Sequence, residues 1–264
     1  MRGLLVAALL LGSTTAAQAA PGTKLAHGDF HTSVNAAEIA YHVRGSGPVV
    51  MVHPGGPGIE WSFVQMPRLE KFATVVYIEP IGTGASGRLA DPRGYTIDRY
   101  VSDVEGLRAH LDLAKFVLLG HSHGGFVAQA YALAHGDHLR GLILYDTSPT
   151  TGLDWQKEVE QNVQWFKNEP WFAEAADGLA HETAATTDEE MTTVFRHEFP
   201  LYFAEYTRRT KEFEPYRASV TITAAPGRGT SDSTASSSVG VAPVFDVHDR
   251  LGEIHVPTLV IVGK

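Results

Sequence analysis

The sequence predicts an α/β protein: a mostly parallel sheet with helices on both faces and a helical insertion late in the chain. Three observations carry that expectation. Short apolar runs alternate with helix-period segments from residue 37 to residue 145, a rhythm that implies crossover connections and a sheet buried on both sides. Across 264 residues the composition is 44% apolar, enough for a sizeable core. From about residue 150 to residue 244 the texture changes to aromatics and helical charge patterns with no convincing strand.

The first residues read M-R-G-L-L-V-A-A-L-L-L-G-S-T-T-A-A-Q-A-A: one positive charge, eight apolar residues in a row, then small residues around an A-x-A site at 17–19. This pattern predicts a signal peptide over 1–19, cleaved after Ala19, and a secreted or periplasmic product. The apolar run falls well short of the roughly 18 to 20 residues that span a bilayer, so no membrane association is expected after cleavage.

Strands are expected over 37–43, 49–53 and 73–79, the last running into the turn G-T-G-A-S-G. Next, Ile97, Tyr100, Val101, Val104, Leu107 and Leu111 recur at helical spacing and predict an amphipathic helix. A buried strand over 116–119, a helix over 125–135 and a strand over 142–145 follow, and the final strand is placed at 258–262. The expected organisation is therefore a core over 20–149, a helical insertion over 150–244, and a return to the core over 245–264. The far end of the insertion, A-P-G-R-G-T-S-D-S-T-A-S-S-S-V-G, is small, polar and glycine-bearing and reads as a mobile loop.

The chain has no cysteine, which removes disulfides and thiolate metal sites. Its net charge of −9, without a basic cluster, disfavours nucleic acid and anionic membranes as partners. The thirteen histidines are scattered in sequence and G-T-G-A-S-G lacks a P-loop lysine, so neither a metal nor a cofactor is expected.

The strongest motif is L-L-G-H-S-H-G-G, which holds G-x-S-x-G with Ser122 between an apolar strand and a helix. In that setting the serine occupies a sharp turn that lifts its hydroxyl above the sheet edge, where it can act as a nucleophile. The backbone N–H of His123, at the helix start, points at an oxyanion formed on Ser122. A second donor is expected from V-V-M-V-H-P-G-G-P-G, an apolar strand running into a glycine-rich loop; Gly55 and Gly56 are the candidates.

The H-P-G-G-P-G loop, the E-P-I-G-T-G-A-S turn and G-H-S-H-G-G together resemble the α/β-hydrolase superfamily, and within it the prolyl-iminopeptidase-like branch, whose hallmark is H-G-G-P-G. The resemblance covers about residues 37–149 and the final strand. It implies the α/β-hydrolase fold: an eight-stranded, mostly parallel sheet, a cap inserted after the sixth strand, and a Ser, Asp, His triad in that chain order. It also implies that cap carboxylates hold a substrate's free amine, a role open to Glu169, Glu198 or Glu205, while His53 orients the oxyanion loop or binds substrate. Three features depart from the branch. Pro54 is inserted before the glycine pair, Glu79-Pro80-Ile81 stands where iminopeptidases carry D-Q-R, and His123 takes the place of an aromatic.

The final strand motif, P-T-L-V-I-V-G, is the one after which the resemblance implies the acid, with the histidine after a further strand. The sequence stops at Lys264, so the canonical acid and base positions, and the last strands and helix, are expected to be missing. Asp146, at the end of the sixth-type strand, is the alternative acid. His121 and His123 flank the serine, but adjacent side chains diverge in a turn and a base must come within about 3 Å of Oγ.

The expected function is a serine hydrolase cleaving a small ester, lactone or amide through Ser122. A proline iminopeptidase-type aminopeptidase and an inactive truncated remnant with a hydrophobic pocket are the alternatives. The expected partner is a small molecule or short peptide.

Overall fold

The computed structural model describes residues 25–231 and 244–263. The expected signal peptide, residues 232–243 of the expected loop and Lys264 lie outside the described residues.

Among the described residues, seven strands form one sheet in the order β1-β2-β4-β3-β5-β6-β7. They are β1 (Gly28–Val34), β2 (Ala37–Gly45), β3 (Val49–His53), β4 (Thr74–Glu79), β5 (Phe116–His121), β6 (Leu139–Tyr145) and β7 (Thr258–Ile261). β1 and β2 pair antiparallel, as do β2 and β4, whereas all pairs from β4 through β7 are parallel. The sheet is thus mostly parallel and carries an antiparallel hairpin at one edge.

The central strands are apolar throughout because both their faces are covered. Met51, Val76 and Leu118 turn to one face, where they pack with Tyr100, Val104 and Leu107 of α1 (Ile97–His110) and Val127, Ala128 and Tyr131 of α2 (His123–His135). Their neighbours Val50, Val52, Val75, Tyr77 and Leu119 turn to the other face, against Trp61, Phe63 and Met66. This is strand alternation with two apolar sides. Thr96 caps α1, its side chain accepting the Arg99 N–H at 3.1 Å.

Several expected boundaries move by one to three residues, among them those of β2, β5, α2 and β6. α2 starts at His123 rather than at residue 125, because β5 runs on to His121 and the chain turns on Ser122 alone. β1 is an additional strand: it alternates polar and apolar residues, with Phe30, Thr32 and Val34 as its inward side, and so few apolar residues give little signal in sequence.

Between β6 and β7 the chain forms helices α3 (Leu153–Val163), α4 (Phe172–His181), α5 (Asp188–Glu198), α6 (Thr210–Ser219) and α7 (Ala224–Ser231). α5 begins with a capping box: Thr187 accepts the Glu190 N–H at 3.2 Å while Glu190 accepts the Thr187 N–H at 3.1 Å. A third apolar cluster, including Phe195, Phe199, Tyr206 and Ile222, holds this cap together and includes Ile59 from the core. The front of the expected mobile loop is instead helical. Pro226 fits a first helical turn, and Asp188 Oδ1 accepts the Ala224 N–H at 2.9 Å, tying the start of α7 to α5.

Three backbone links seat the cap. The Thr223 N–H donates to Gly58 O at 2.9 Å, joining the cap to the loop after β3. At the cap's base, Thr151 N–H donates to Phe245 O at 2.9 Å and Val247 N–H to Pro149 O at 3.0 Å, so entry and exit run side by side.

Candidate active site

Ser122 sits between β5 and α2 with φ 52° and ψ −121°. A non-glycine residue in that region is strained and persists only where its surroundings fix it. Here β6 and its following loop do so. The Ser122 N–H donates to Tyr145 O at 3.0 Å, and Ser122 O accepts from Gly125 N at 2.8 Å and Thr147 Oγ1 at 2.8 Å. The flanking glycines are required by close approach. A Cβ on Gly120 would lie 2.2 Å from Gly124 O, and one on Gly124 would lie 2.3 Å from His53 O. The motif's three fixed residues are thus one steric unit.

The loop after β3 lies against the elbow. A Cβ on Gly55 would lie 2.8 Å from His121 Nδ1 and 2.9 Å from the Ser122 Cβ. Gly56, with φ +108°, lines the same cavity as Ser122. Among the described residues, the Gly55 and Gly56 amides donate to no protein acceptor. The His123 amide opens α2, where no carbonyl lies a turn back to receive it. Three amides without a protein acceptor among the described residues thus lie on the loop and helix start that flank Ser122.

Above the elbow is a cavity of about 790 Å³ roofed by the cap. Its walls are mainly apolar, with Ile59 and Phe63 from the core side and Phe195, Phe199 and Phe213 from the cap. Glu198 enters it from α5. The residue is 3% exposed, and its Oε1 has no hydrogen-bond partner among the described residues. Burial, assisted by the nearby Glu182 charge, pushes its carboxyl up to about 8. Glu182 also lines this cavity, and burial raises its carboxyl too. A second cavity, of about 540 Å³, meets Ser122 from the side of Phe126, Trp155 and Trp165.

The remaining sequence-predicted residues divide clearly. Asp146 lines both cavities; its N–H donates to Ile261 O at 2.8 Å and its Oδ1 accepts the Gly263 N–H at 2.7 Å. His53 does not reach either cavity. It is 2% exposed, its Nδ1 donates to Pro54 O at 3.0 Å in the loop after β3, and its ring meets Tyr100 edge-on. Glu169 and Glu205 lie outside both cavities and are engaged by neighbours, Glu169 with Thr207 and Glu205 with Arg208. Carboxylates in the turns between cap helices find such partners readily, which sequence proximity to aromatics does not reveal.

His121 lines the main cavity, packed against Phe63 and Tyr145 with its Nδ1 unpartnered. Burial lowers its ring to about 4, partly offset by Asp146. The His123 side chain turns inward between Tyr100 and Phe126 and is lowered to about 3 by burial and then by His53. Among the described residues, no side chain hydrogen-bonds Ser122 Oγ, and no group of three metal-ligating side chains surrounds it. Phe63 and Glu182 are among the cavity residues that the sequence does not reveal. Each comes from a short 3-10 turn, Trp61–Val64 or Glu182–Ala184, whose residues carry no periodic signal.

A strained serine on a strand-to-helix turn, glycine amides against it and a cap over a mostly parallel sheet define the class, and the chain belongs to the alpha/beta hydrolase fold family, whose model matches residues 48–264. Its similar relatives include a proline iminopeptidase from Saccharolobus solfataricus, 29% identical over 233 residues, 85% of this chain and 72% of the relative. Among solved structures, a thermophilic esterase from Thermogutta terrifontis matches with a TM-score of 0.60 at 25% identity, over 89% of this chain and 80% of the esterase. A hydrolase from Pseudomonas aeruginosa matches with a TM-score of 0.62 at 24% identity, over 90% of this chain and 81% of that one, a likeness of fold. The chain is thus a hydrolase by family.

Proposed function

We propose that the chain hydrolyses a small ester, lactone or amide by acyl transfer through Ser122. The observation that carries this is the strained Ser122 on the wall of a mainly apolar cavity, with unoccupied amide donors beside it. Ser122 Oγ attacks the substrate carbonyl, and the oxyanion accepts hydrogen bonds from the His123 N–H and from Gly55 or Gly56. Collapse of the tetrahedral intermediate expels the alcohol or amine with a proton. Water then attacks the acyl-serine, releasing the acid and restoring the hydroxyl.

This chemistry uses a base for the Ser122 proton and an acid that orients it. Asp146 is the described carboxylate that shares both cavities with Ser122 and is our choice for the acid. His121 and His123 are buried as neutral rings, and neither hydrogen-bonds Oγ. We therefore assign the base to neither.

A second reading is favoured by one observation, the Glu182–Glu198 pair in the cavity. Two carboxylates beside apolar walls match a substrate with a free amine and an apolar ring, and the relatives named proline iminopeptidase support an aminopeptidase of that type. We also place the product outside the cytoplasm, on the leader pattern at 1–19; among the described residues no helix is long and apolar enough to cross a membrane.

The test is a fluorophosphonate probe on the folded protein and on Ser122→Ala. Covalent labelling of the wild type alone is expected, and a folded wild type that resists the probe overturns the nucleophile. Parallel rates on p-nitrophenyl esters and proline p-nitroanilide separate the two readings.

A further inference from the structure

The two ends of α2 carry different chemistry. Ser122 precedes its first residue, whereas His135 ends it and His138 closes the 3-10 turn Gly136–His138 that follows. Thirteen residues of helix separate the ends by about 20 Å. At the far end Glu105 of α1 comes alongside, although it is distant in sequence. One ligand atom from each of Glu105, His135 and His138 lies within 4.8 Å of the other two, and all three residues are half-buried.

We propose that Glu105, His135 and His138 form a binding site for a borderline-soft divalent cation of the Zn²⁺ class, remote from Ser122. Two imidazoles and a carboxylate are a donor set suited to such an ion, with water completing a four-coordinate shell. Ligand atoms on tetrahedral zinc stand roughly 3.4 Å apart. Rotation about the side-chain bonds of two histidines supplies the remaining closure.

Three features make this more than a salt bridge. First, the two rings lie parallel, with 2° between their planes and 6.0 Å between centroids, so their nitrogens border one space. Second, His138 Nδ1 already lies 3.2 Å from Glu105 Oε2, while the neighbouring His135 ring meets other side chains through ring contacts with Tyr131 and His138. Third, the carboxylate is held as metal-ligating carboxylates are held, by hydrogen bonds from behind. Tyr131 OH donates to Glu105 Oε2 at 2.7 Å, and Arg108 donates to Oε2 at 2.9 Å and to Oε1 at 2.6 Å. Oε1 accepts only that one bond and retains a second lone pair. The C-terminal carbonyls of α2 add a partial negative charge at the same place. Arg108 opposes the cation, so the expected affinity falls below that of a closed structural site.

The experiment is a Zn²⁺ titration of the full chain by calorimetry and thermal melting, repeated on His135→Gln and His138→Gln. The wild type is expected to bind one Zn²⁺ and melt at a higher temperature when it does. Each variant is expected to bind at least tenfold more weakly while keeping the wild-type rate of Ser122 labelling. Wild-type affinity in both variants, or no saturable binding by the wild type, overturns the site. Should either variant fail to fold, Cu²⁺ electron paramagnetic resonance on the wild type decides: hyperfine structure from two imidazole nitrogens sustains the assignment, and one or none overturns it.

Discussion

A Cβ placed on Gly55 would lie 2.9 Å from the Cβ of Ser122. The candidate oxyanion loop and the candidate nucleophile are thus in contact through a space only glycine leaves open. Gly55→Ala must push the loop away from the elbow and move its amides. Fluorophosphonate labelling is expected to slow roughly 10²–10³-fold, the loss typical of one oxyanion donor. Stability should fall by about 1–3 kcal/mol, the usual range for local overpacking. Labelling kinetics beside a denaturation curve separate the two effects, and an unchanged labelling rate refutes the loop's role.

Three buried rings govern the acid limb of stability. His53 and His121 are lowered to about 4 and His123 to about 3, in each case chiefly by burial. Below the ordinary histidine value of 6.5 the unfolded chain takes up protons that the folded chain refuses. Stability is therefore full above that value and is lost as pH falls toward 4 and below. Melting temperatures measured from pH 7 to pH 4 should drop steeply, and a double substitution His53→Gln with His123→Gln should flatten the drop.

Glu198 acts in the opposite sense. Its carboxyl is raised from the ordinary 4.5 to about 8 by burial and by Glu182, so the folded state holds a proton that the unfolded state has released. Its contribution weakens as pH rises between those two values. Glu198→Gln should therefore raise stability at pH 8, on the order of 1–3 kcal/mol, and have little effect at pH 4. If the amine-binding reading holds, the same substitution lowers kcat/KM on proline p-nitroanilide much more than on a p-nitrophenyl ester. Equal losses on both would reject that reading.

Glu79 stands at the position where the iminopeptidase pattern changes. It accepts from His42 Nε2 at 2.7 Å and from the Ala85 N–H, while His42 Nδ1 reaches Asp29 at 2.8 Å and the ring stacks on Trp61 at 4.2 Å. Glu79→Ala strips a buried ring and a turn amide of their acceptor and should cost about 3–5 kcal/mol. Glu79→Gln keeps one acceptor oxygen and should cost less than half as much. Urea denaturation of the two variants checks the order.

The core was legible because its signals are local. Val50, Met51 and Val52, or Val75, Val76 and Tyr77, declare a strand buried on both faces, and G-H-S-H-G between β5 and α2 declares the elbow. What escaped depends on contacts between distant segments. Glu198, on α5, faces the cavity, whereas Glu169 and Glu205, in turns outside α4 and α5, do not, and the sequence alone carries no signal for that difference. Likewise, His135 and His138 acquire a partner in Glu105 only when α1 docks beside α2.

Phe63 belongs to two bodies at once. Its ring lies 5.9 Å from Phe195 and 6.1 Å from Phe199 in the cap, and 6.1 Å from His121 beside Ser122. A substrate bulky enough to displace that ring loosens the aromatic contact that holds α5 down. Size selection and cap adhesion are therefore a single mechanical variable. Enlarging the pocket at Phe63 to admit longer acyl groups would also quicken the exchange of whatever the cap encloses.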